Sequence, residues 1–318
     1  MTSSTAPPSR PSPGFKNATG APVESLPPET RRTILGDVKE IVSELSQTRD
    51  LVHQLTLRDI RIRYKQAVFG FGWAVLIPAA VVGAGLVVRY ALAASSGRRF
   101  LTTEIAYMAV KSVPWGFFVG SINSATGSLL SNLTLVTKVY FPREVLPLSG
   151  ILAQSFDSLI GGALVLLLLP FLGVTPSMQL LWVPLLALLL WIFALAAGLF
   201  LSCANVFFRD VKYLVQVFLM FGIFITPVIL DATAYGHRGS QWMMLNPIAP
   251  LLEGLRLAIV DHKNLLFEVA APPTAANPRG FIFWRPWMLG YSAAWAFGGL
   301  LFSAILFHRS ERRFAEIV

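Results

Sequence analysis

Residues 180–206 read LLWVPLLALLLWIFALAAGLFLSCANV. No acidic or basic side chain interrupts them, and the run exceeds the ~20 apolar residues a helix needs to cross a hydrocarbon core ~30 Å thick. Lipid offers no hydrogen bonds, so the backbone of such a run must satisfy itself as a helix. Working outward, comparable runs occupy residues 71–94, 107–130, 146–172, 211–230 and 287–307, the second of them polar in places and carrying Pro114. Six spans make this an all-α polytopic membrane protein. The composition agrees. Of 318 residues, 54% are hydrophobic and 14% charged, against roughly 25% charged in a soluble domain, and the mean hydropathy is +0.61.

The flanking segments are of other kinds. Residues 1–28 are rich in Pro, Ser, Thr and Ala without apolar periodicity, which predicts a disordered tail. The tail lacks the charged start, apolar centre and small-residue cleavage site of a signal peptide, so it is read as retained. Within residues 29–50, Ile34, Leu35, Val38, Ile41, Val42 and Leu45 recur at helical spacing and predict a short amphipathic helix. The transmembrane domain, residues 51–318, opens with a segment in which Leu51, Leu55, Ile62 and Tyr64 alternate with Arg58, Arg61, Arg63 and Lys65. That segment is too charged to span and predicts an amphipathic helix in the interface plane. Residues 245–260 are apolar but short and broken by Pro247 and Pro250, which predicts a re-entrant segment before the last span. Residues 261–286 read as a polar surface loop.

The net charge of +9 is carried by Lys and Arg that flank the spans. With the N-terminus inside, the inner segments include Arg58, Arg61, Arg63, Lys65, Lys138, Arg143, Arg209, Lys212, Arg309, Arg312 and Arg313. The outer ones hold Arg98, Arg99, Arg238, Arg256, Lys263, Arg279 and Arg285. The bias places both termini inside. No basic soluble face is legible, so nucleic acid is not an expected partner. A single cysteine, Cys203, and four dispersed histidines (His53, His237, His262, His308) give neither a disulfide framework nor metal-ligand spacing. The chain has no G-x-x-x-x-G-K-[ST], no G-x-S-x-G and no H-E-x-x-H. It is therefore expected to be no enzyme and to draw energy from another subunit or a gradient.

Several residues stand out against this background. Lys138, Tyr140, Phe141, Pro142, Arg143 and Glu144 lie between the second and third spans; aromatic and Arg side chains there suit either docking of a cytoplasmic partner or anchoring at headgroups. Asp157, inside the third span, is a pore residue or a carboxylate bonded to a neighbouring helix. Arg89 is expected to snorkel to the outer surface, and Lys111 to meet Glu104 or an anionic substrate. Gly116 and Gly120 form a G-x-x-x-G spacing that lets helices approach, within one subunit or across a dimer.

Four blocks occur in order: Arg58-Asp-Ile-Arg-Ile-Arg-Tyr-Lys-Gln66 with Gly70 and Trp73, then Lys138-Val-Tyr-Phe-Pro-Arg-Glu144, Asn205-Val-Phe-Phe-Arg-Asp210 and Leu245-Asn-Pro247. From about Leu51 to the C-terminus the chain resembles the permease subunit of type-2 ABC exporters of polysaccharide, O-antigen or teichoic acid. The resemblance implies a homodimer in the bacterial cytoplasmic (inner) membrane, paired with two copies of a separate ATP-binding subunit. ATP and Mg would bind that subunit, and no cofactor this chain. Arg58, Asp59, Arg63, Tyr64 and Lys65 would belong to the interface helix, and Lys138–Glu144 to the coupling helix that touches the ATPase. A lipid-linked glycan would pass outward at the dimer interface. Trp115, Phe117, Phe118, Phe156, Asp157, Phe218, Phe221 and Phe224 are the candidate path residues, since rings offer apolar faces to pyranoses. Two rivals are an exporter of drugs or small lipids from the same superfamily and a membrane glycan transferase or polymerase. For the latter, Asp231, Glu253, Asp261 and Glu268 form no recognisable constellation.

Overall fold

The structure, a computed structural model, describes residues 34–65, 72–96, 102–138, 141–271 and 280–317. The expected disordered tail and Tyr140 lie outside the described residues. In chain order the helices are α1 (Ile34–Gln47), α2 (Arg49–Lys65), α3 (Trp73–Ser96), α4 (Thr102–Ser131), α5 (Leu133–Lys138), α6 (Val145–Leu168), α7 (Trp182–Phe207), α8 (Val211–Ile225), α9 (Gly236–Met244), α10 (Ala249–Ile259) and α11 (Trp287–Ile317). A two-stranded antiparallel hairpin, β1 (Val269–Ala271) and β2 (Phe281–Trp284), precedes α11.

Five stretches are long and apolar enough to cross a membrane: Pro78–Ser95, Thr103–Ser131, Val145–Leu172, Met178–Phe207 and Trp287–Glu311. The remaining expected span departs from expectation. Helix α8 has 15 residues, a rise of only about 22 Å. Pro227 disfavours helical backbone at the residue before it, and Thr226 is accordingly extended at φ −101°, ψ 149°. The chain still runs from one end of the bundle to the other. At the start of α8 the Lys212 N–H donates to Asn205 Oδ1 at 3.2 Å, while Asn205 Nδ2 donates to the Thr126 carbonyl at 2.9 Å, near the end of α4. Beyond α8 the Ile229 carbonyl accepts from Arg89 Nε at 2.7 Å, and Asp231 accepts from Lys111, in the first half of α4. The short helix and the turns after it thus make a sixth traverse, the fifth in chain order.

At the centre, α7 packs on α4 and α11, and α4 on α6. A Cβ on Gly198 of α7 would lie 2.9 Å from Ala125 Cβ and 3.1 Å from Ile151 Cδ1, so three helices meet there almost backbone to backbone. Of the G-x-x-x-G pair, Gly120 abuts Gln154 of α6, whereas a Cβ on Gly116 would meet nothing. Its one close approach therefore lies within the chain. The outer surface is apolar: Leu159 is 72% and Phe171 84% exposed, as lipid contact requires.

The bundle end away from α5, called outer after the Lys and Arg bias of the sequence, is held by buried charges. Asp231 accepts from Lys111 and from Arg89 Nη2 (2.8 Å), with Arg256 Nε 3.8 Å away. Arg89 also reaches Glu104 (3.2 Å); Arg256 pairs with Glu253 (2.6 Å) and Asp261 (2.7 Å), and Tyr107 donates to Asp261 (2.8 Å). Lys111 and Glu253 are fully buried. Burial alone would raise the Asp231 carboxyl, but Lys111, Arg256 and Arg89 hold it well below the usual carboxylate range. Arg89 therefore does not snorkel, and Lys111 pairs with Asp231 and Glu253 rather than with Glu104.

Helix α10, expected as a re-entrant segment, is buried along its whole length. Pro250 starts it rather than breaking it, because a first-turn N–H has no helical partner to lose. The Leu245-Asn-Pro247 block docks on α11: Tyr291 donates to the Leu245 carbonyl at 2.5 Å and Ser292 to that of Pro247 at 2.8 Å. The expected polar loop over residues 261–286 is instead partly core. Trp284 is fully buried, donates to the Leu265 carbonyl at 3.1 Å, and packs against Gly254.

Removing one member of a buried charge network leaves the others unpaired, at a cost on the order of 3 kcal/mol. Asp231→Asn is expected to lower the thermal unfolding midpoint of the detergent-purified chain sharply. Glu268→Gln, which breaks the exposed Arg285–Glu268 pair (3.5 Å), is expected to change stability by about 0.5 kcal/mol or less.

Candidate functional site

The functional candidates at the inner end begin with the link from α4 to α6. Helix α5 presents Leu133, Thr134, Thr137 and Lys138 to the outside, with Val136 buried beneath. The block that follows turns inward. Phe141 is buried in a cluster with Leu55, Val145, Leu199, Phe307 and Phe314. Arg143 donates through Nη1 to the Glu311 carbonyl (2.5 Å), and its backbone N–H donates to Glu311 Oε1 (3.1 Å). Glu144 is buried beside His308, with 3.5 Å between Oε1 and Nδ1. Pro142 is half-buried. Of the six sequence-predicted residues here, then, Lys138 is exposed on α5, Phe141, Arg143 and Glu144 fasten the loop to α6 and α11, and Tyr140 is outside the described residues. The exposed face of α5 was not singled out in the sequence, because an alternation of Leu and Thr carries no marked pattern.

The interface-helix candidates lie on α2, which runs along the first half of α6. Asp59 pairs with Arg58 (2.9 Å) and accepts from Ser149 (3.2 Å). One α2 turn later, Asp157 accepts from both Arg63 and Tyr64, and Arg63 reaches Gln154 at 3.0 Å. Burial pushes the Tyr64 hydroxyl above its ordinary value, which keeps it a donor to Asp157. Lys65 is exposed. Asp157 is thus a carboxylate bonded to a neighbouring helix. Its ionised form is affordable in a span because two donors meet it.

The aromatic candidates separate into three groups. Phe117 and Phe118 are buried in the core, Phe118 stacked on Phe193 at 5.9 Å between centroids. Trp115, also buried, forms one wall of an open groove of about 320 Å³ between α4 and α8, with Asn123, Gln216 and Met220. At 100° per residue, Gln216, Leu219, Met220 and Ile223 share the α8 face that lines this groove. Phe218, Phe221 and Phe224 fall on the opposite side and are exposed. Phe156 is 38% exposed next to Asp157. Asn123 and Gln216 were missed in the sequence, although amides within apolar spans are a signal of a wet or functional surface.

The inner end also gathers groups that no sequence motif announced. Asp37 of α1 accepts from Arg309 of α11 at 2.9 Å, and His308 Nε2 lies 3.6 Å from Glu40. Glu311 stands one turn beyond His308, a spacing of three that puts both on one face of α11.

No family model matches the chain. Curated relatives do. The O-antigen export system permease protein RfbA of Klebsiella pneumoniae is 26% identical over 204 residues, 64% of this chain and 77% of that protein. The O-antigen export system permease protein RfbA of Myxococcus xanthus is 28% identical over 225 residues, 70% of this chain and 85% of that one. These matches agree with the four ordered sequence blocks and with a helical bundle of membrane-crossing length. The chain is an integral membrane protein similar to O-antigen export system permease proteins.

Proposed function

We propose that this chain is the membrane subunit of an ATP-driven exporter that moves a lipid-linked polysaccharide across the bacterial cytoplasmic membrane. It works as a homodimer with two copies of a separate ATP-binding subunit, which holds ATP and Mg. The end carrying α5, α1 and the last turns of α11 faces the cytoplasm. This reading is carried by one observation: α5 stands out as a polar-and-apolar knob on a seat made of Phe141, Arg143 and Glu144. Force applied to Leu133, Thr134, Thr137 and Lys138 would reach α6 through Val145 and α11 through the Arg143–Glu311 contact. Because Asp157 ties α6 to α2 through Arg63 and Tyr64, the interface helix would move with α6.

The groove between α4 and α8 supports a glycan as cargo. Its two amides, Asn123 and Gln216, suit a sugar by bonding its hydroxyls, with the buried Trp115 ring behind them. The exposed Phe218, Phe221 and Phe224 give α8 a second apolar face, for a second copy of this chain or for lipid.

The first test is co-purification of the chain with an ABC ATPase encoded beside it, followed by ATP hydrolysis in lipid. Lys138→Glu and Thr134→Arg are expected to weaken ATPase retention while leaving the thermal midpoint of the permease unchanged. Phe141→Ala is expected to lower that midpoint as well, through a loss of about 3 kcal/mol or more of stability for a buried ring. Equal retention of the ATPase by all three variants would remove α5 and its seat as the docking element.

A second expectation concerns the path. Gln216→Leu should reduce the surface polysaccharide made by cells, with the complex still assembling and hydrolysing ATP; Trp115→Ala should do so too, with a lower thermal midpoint because the ring is buried. Phe117→Ala should act through stability alone. Normal export by Gln216→Leu and Trp115→Ala together would exclude the α4–α8 groove as the route.

A further inference from the structure

Three polar side chains at the inner end have no role in the export reading beyond position: Glu144, His308 and Glu311. One donor atom from each lies within 4.8 Å of the others. Glu144 is 4% and His308 7% exposed, and neither carboxylate oxygen of Glu144 nor either ring nitrogen of His308 has a hydrogen-bond partner. Buried polar atoms in folded proteins are nearly always satisfied, and the Glu144–His308 contact at 3.5 Å is an ion pair that leaves the second Glu144 oxygen bare. Something compensates this pocket, and the chemistry of the donors indicates what.

We propose that Glu144, His308 and Glu311 form a binding site for a divalent transition-metal cation, with zinc the best fit. An imidazole nitrogen and two carboxylate oxygens are a zinc ligand set that leaves a fourth position for water. The imidazole also selects against magnesium and calcium, which prefer oxygen alone. Tetrahedral zinc holds N and O ligands about 2.0–2.2 Å away, hence about 3.3–3.6 Å from one another. The separation of 3.5 Å between His308 Nδ1 and Glu144 Oε1 already meets that spacing. The Glu311 donor lies within 4.8 Å of the other two, and a change of its rotamer would have to close the remaining gap.

The surroundings fit the same cation. His308 points Nδ1 at Glu144 and Nε2 at Glu40, 3.6 Å away on α1. A metal on Nδ1 would leave the Nε2 proton facing a carboxylate, the usual way a ligating imidazole is oriented and its basicity raised. The Arg143 backbone N–H holds Glu311 Oε1 at 3.1 Å, leaving that carboxylate a second oxygen. The Arg143 guanidinium is occupied by the Glu311 and Val136 carbonyls, with Nε 3.8 Å from Glu311 Oε1. The bound cation would join the loop entering α6 to the end of α11 and, through Glu40, to α1. It would therefore stiffen the seat under α5. The site does not depend on the exporter reading, and either can fail without the other.

The test uses the full chain, purified in detergent without a polyhistidine tag, stripped with chelator and titrated with ZnCl₂ or CoCl₂. Expected are about one zinc retained per chain after gel filtration, a higher thermal midpoint, and visible d–d absorption from bound cobalt. Glu144→Gln and His308→Asn should lose all three. Glu40→Gln should keep the stoichiometry but weaken binding by about 10- to 100-fold, as a ligand-orienting group does. His262→Asn, at an exposed position elsewhere, should change nothing. Should His308→Asn fail to fold, the wild-type stoichiometry and cobalt spectrum, with Glu144→Gln and Glu311→Gln, still decide. No zinc retained by the wild type overturns the proposal. So does equal retention by Glu144→Gln and His308→Asn, or a thermal midpoint that responds to pH but not to zinc, the mark of an imidazolium–carboxylate pair alone.

Discussion

Asp231 is where the outer half of this molecule is decided. Its carboxylate receives Lys111 from α4, Arg89 from α3 and faces Arg256 of α10, three cations drawn from segments far apart in the chain. Away from water each of those cations would be costly alone, and attraction to a shared anion is what makes their burial tolerable. The position of Asp231 follows from α8. Because Thr226 and Pro227 end that helix early, the chain reaches the level of Lys111 as non-helical backbone, able to offer both the Ile229 carbonyl and the Asp231 side chain to Arg89. A longer, regular α8 would have carried those acceptors within its own helix. The short fifth traverse and the ion network are therefore one design.

The inner end is organised on another principle. Apolar packing of Leu55, Phe141, Val145, Phe307 and Phe314 draws together α2, the α5–α6 link and the end of α11, and polar contacts only fix their register. Arg143 bonds main-chain oxygens of both α11 and α5, and its own backbone N–H holds the Glu311 carboxylate. The two ends consequently respond differently to substitution. At the outer end a single lost charge strands its partners, whereas at the inner end a lost ring opens a void that neighbours partly fill.

How far all this could be read from the sequence depended on the range of each interaction. Hydropathy marked the spans, because the apolar side chains of residues 180–206 suit lipid and protein packing alike, wherever their neighbours lie. The amphipathic pattern of Ile34, Val38 and Ile41 gave α1, and Pro250 could have marked the start of α10 by the first-turn rule. Arg89 and Lys111 were misread because nothing near them in sequence hints at Asp231. Trp284 was misread for a related reason: residues 261–286 are polar on average, and averaging hides one buried indole. The block Lys138–Glu144 was recognised but not its division of labour. A motif shows that residues belong together, yet only the fold shows that Phe141, Arg143 and Glu144 face inward while Lys138 faces out.

The division between knob and seat also bears on how motion would pass through the molecule. Packed interiors shift between discrete arrangements rather than flexing continuously, so a push on α5 is transmitted where contacts are stiff and dissipated where they are few. The stiff route runs through α6, which Asp157 binds to α2, Gln154 crowds against α4 at Gly120 and Ile151 against α7 at Gly198. Helix α8 is the opposite case: Val215 is its only fully buried residue, and its grip on α4 includes Trp115 set against Gly222. Displacement of the α2–α4–α6–α7 block against α8 would change the width of the groove walled by Trp115, Asn123 and Gln216. On the proposed reading, the weakly held helix that ends early at Thr226 is the wall that yields, and the ion network at Asp231 is the anchor that limits how far.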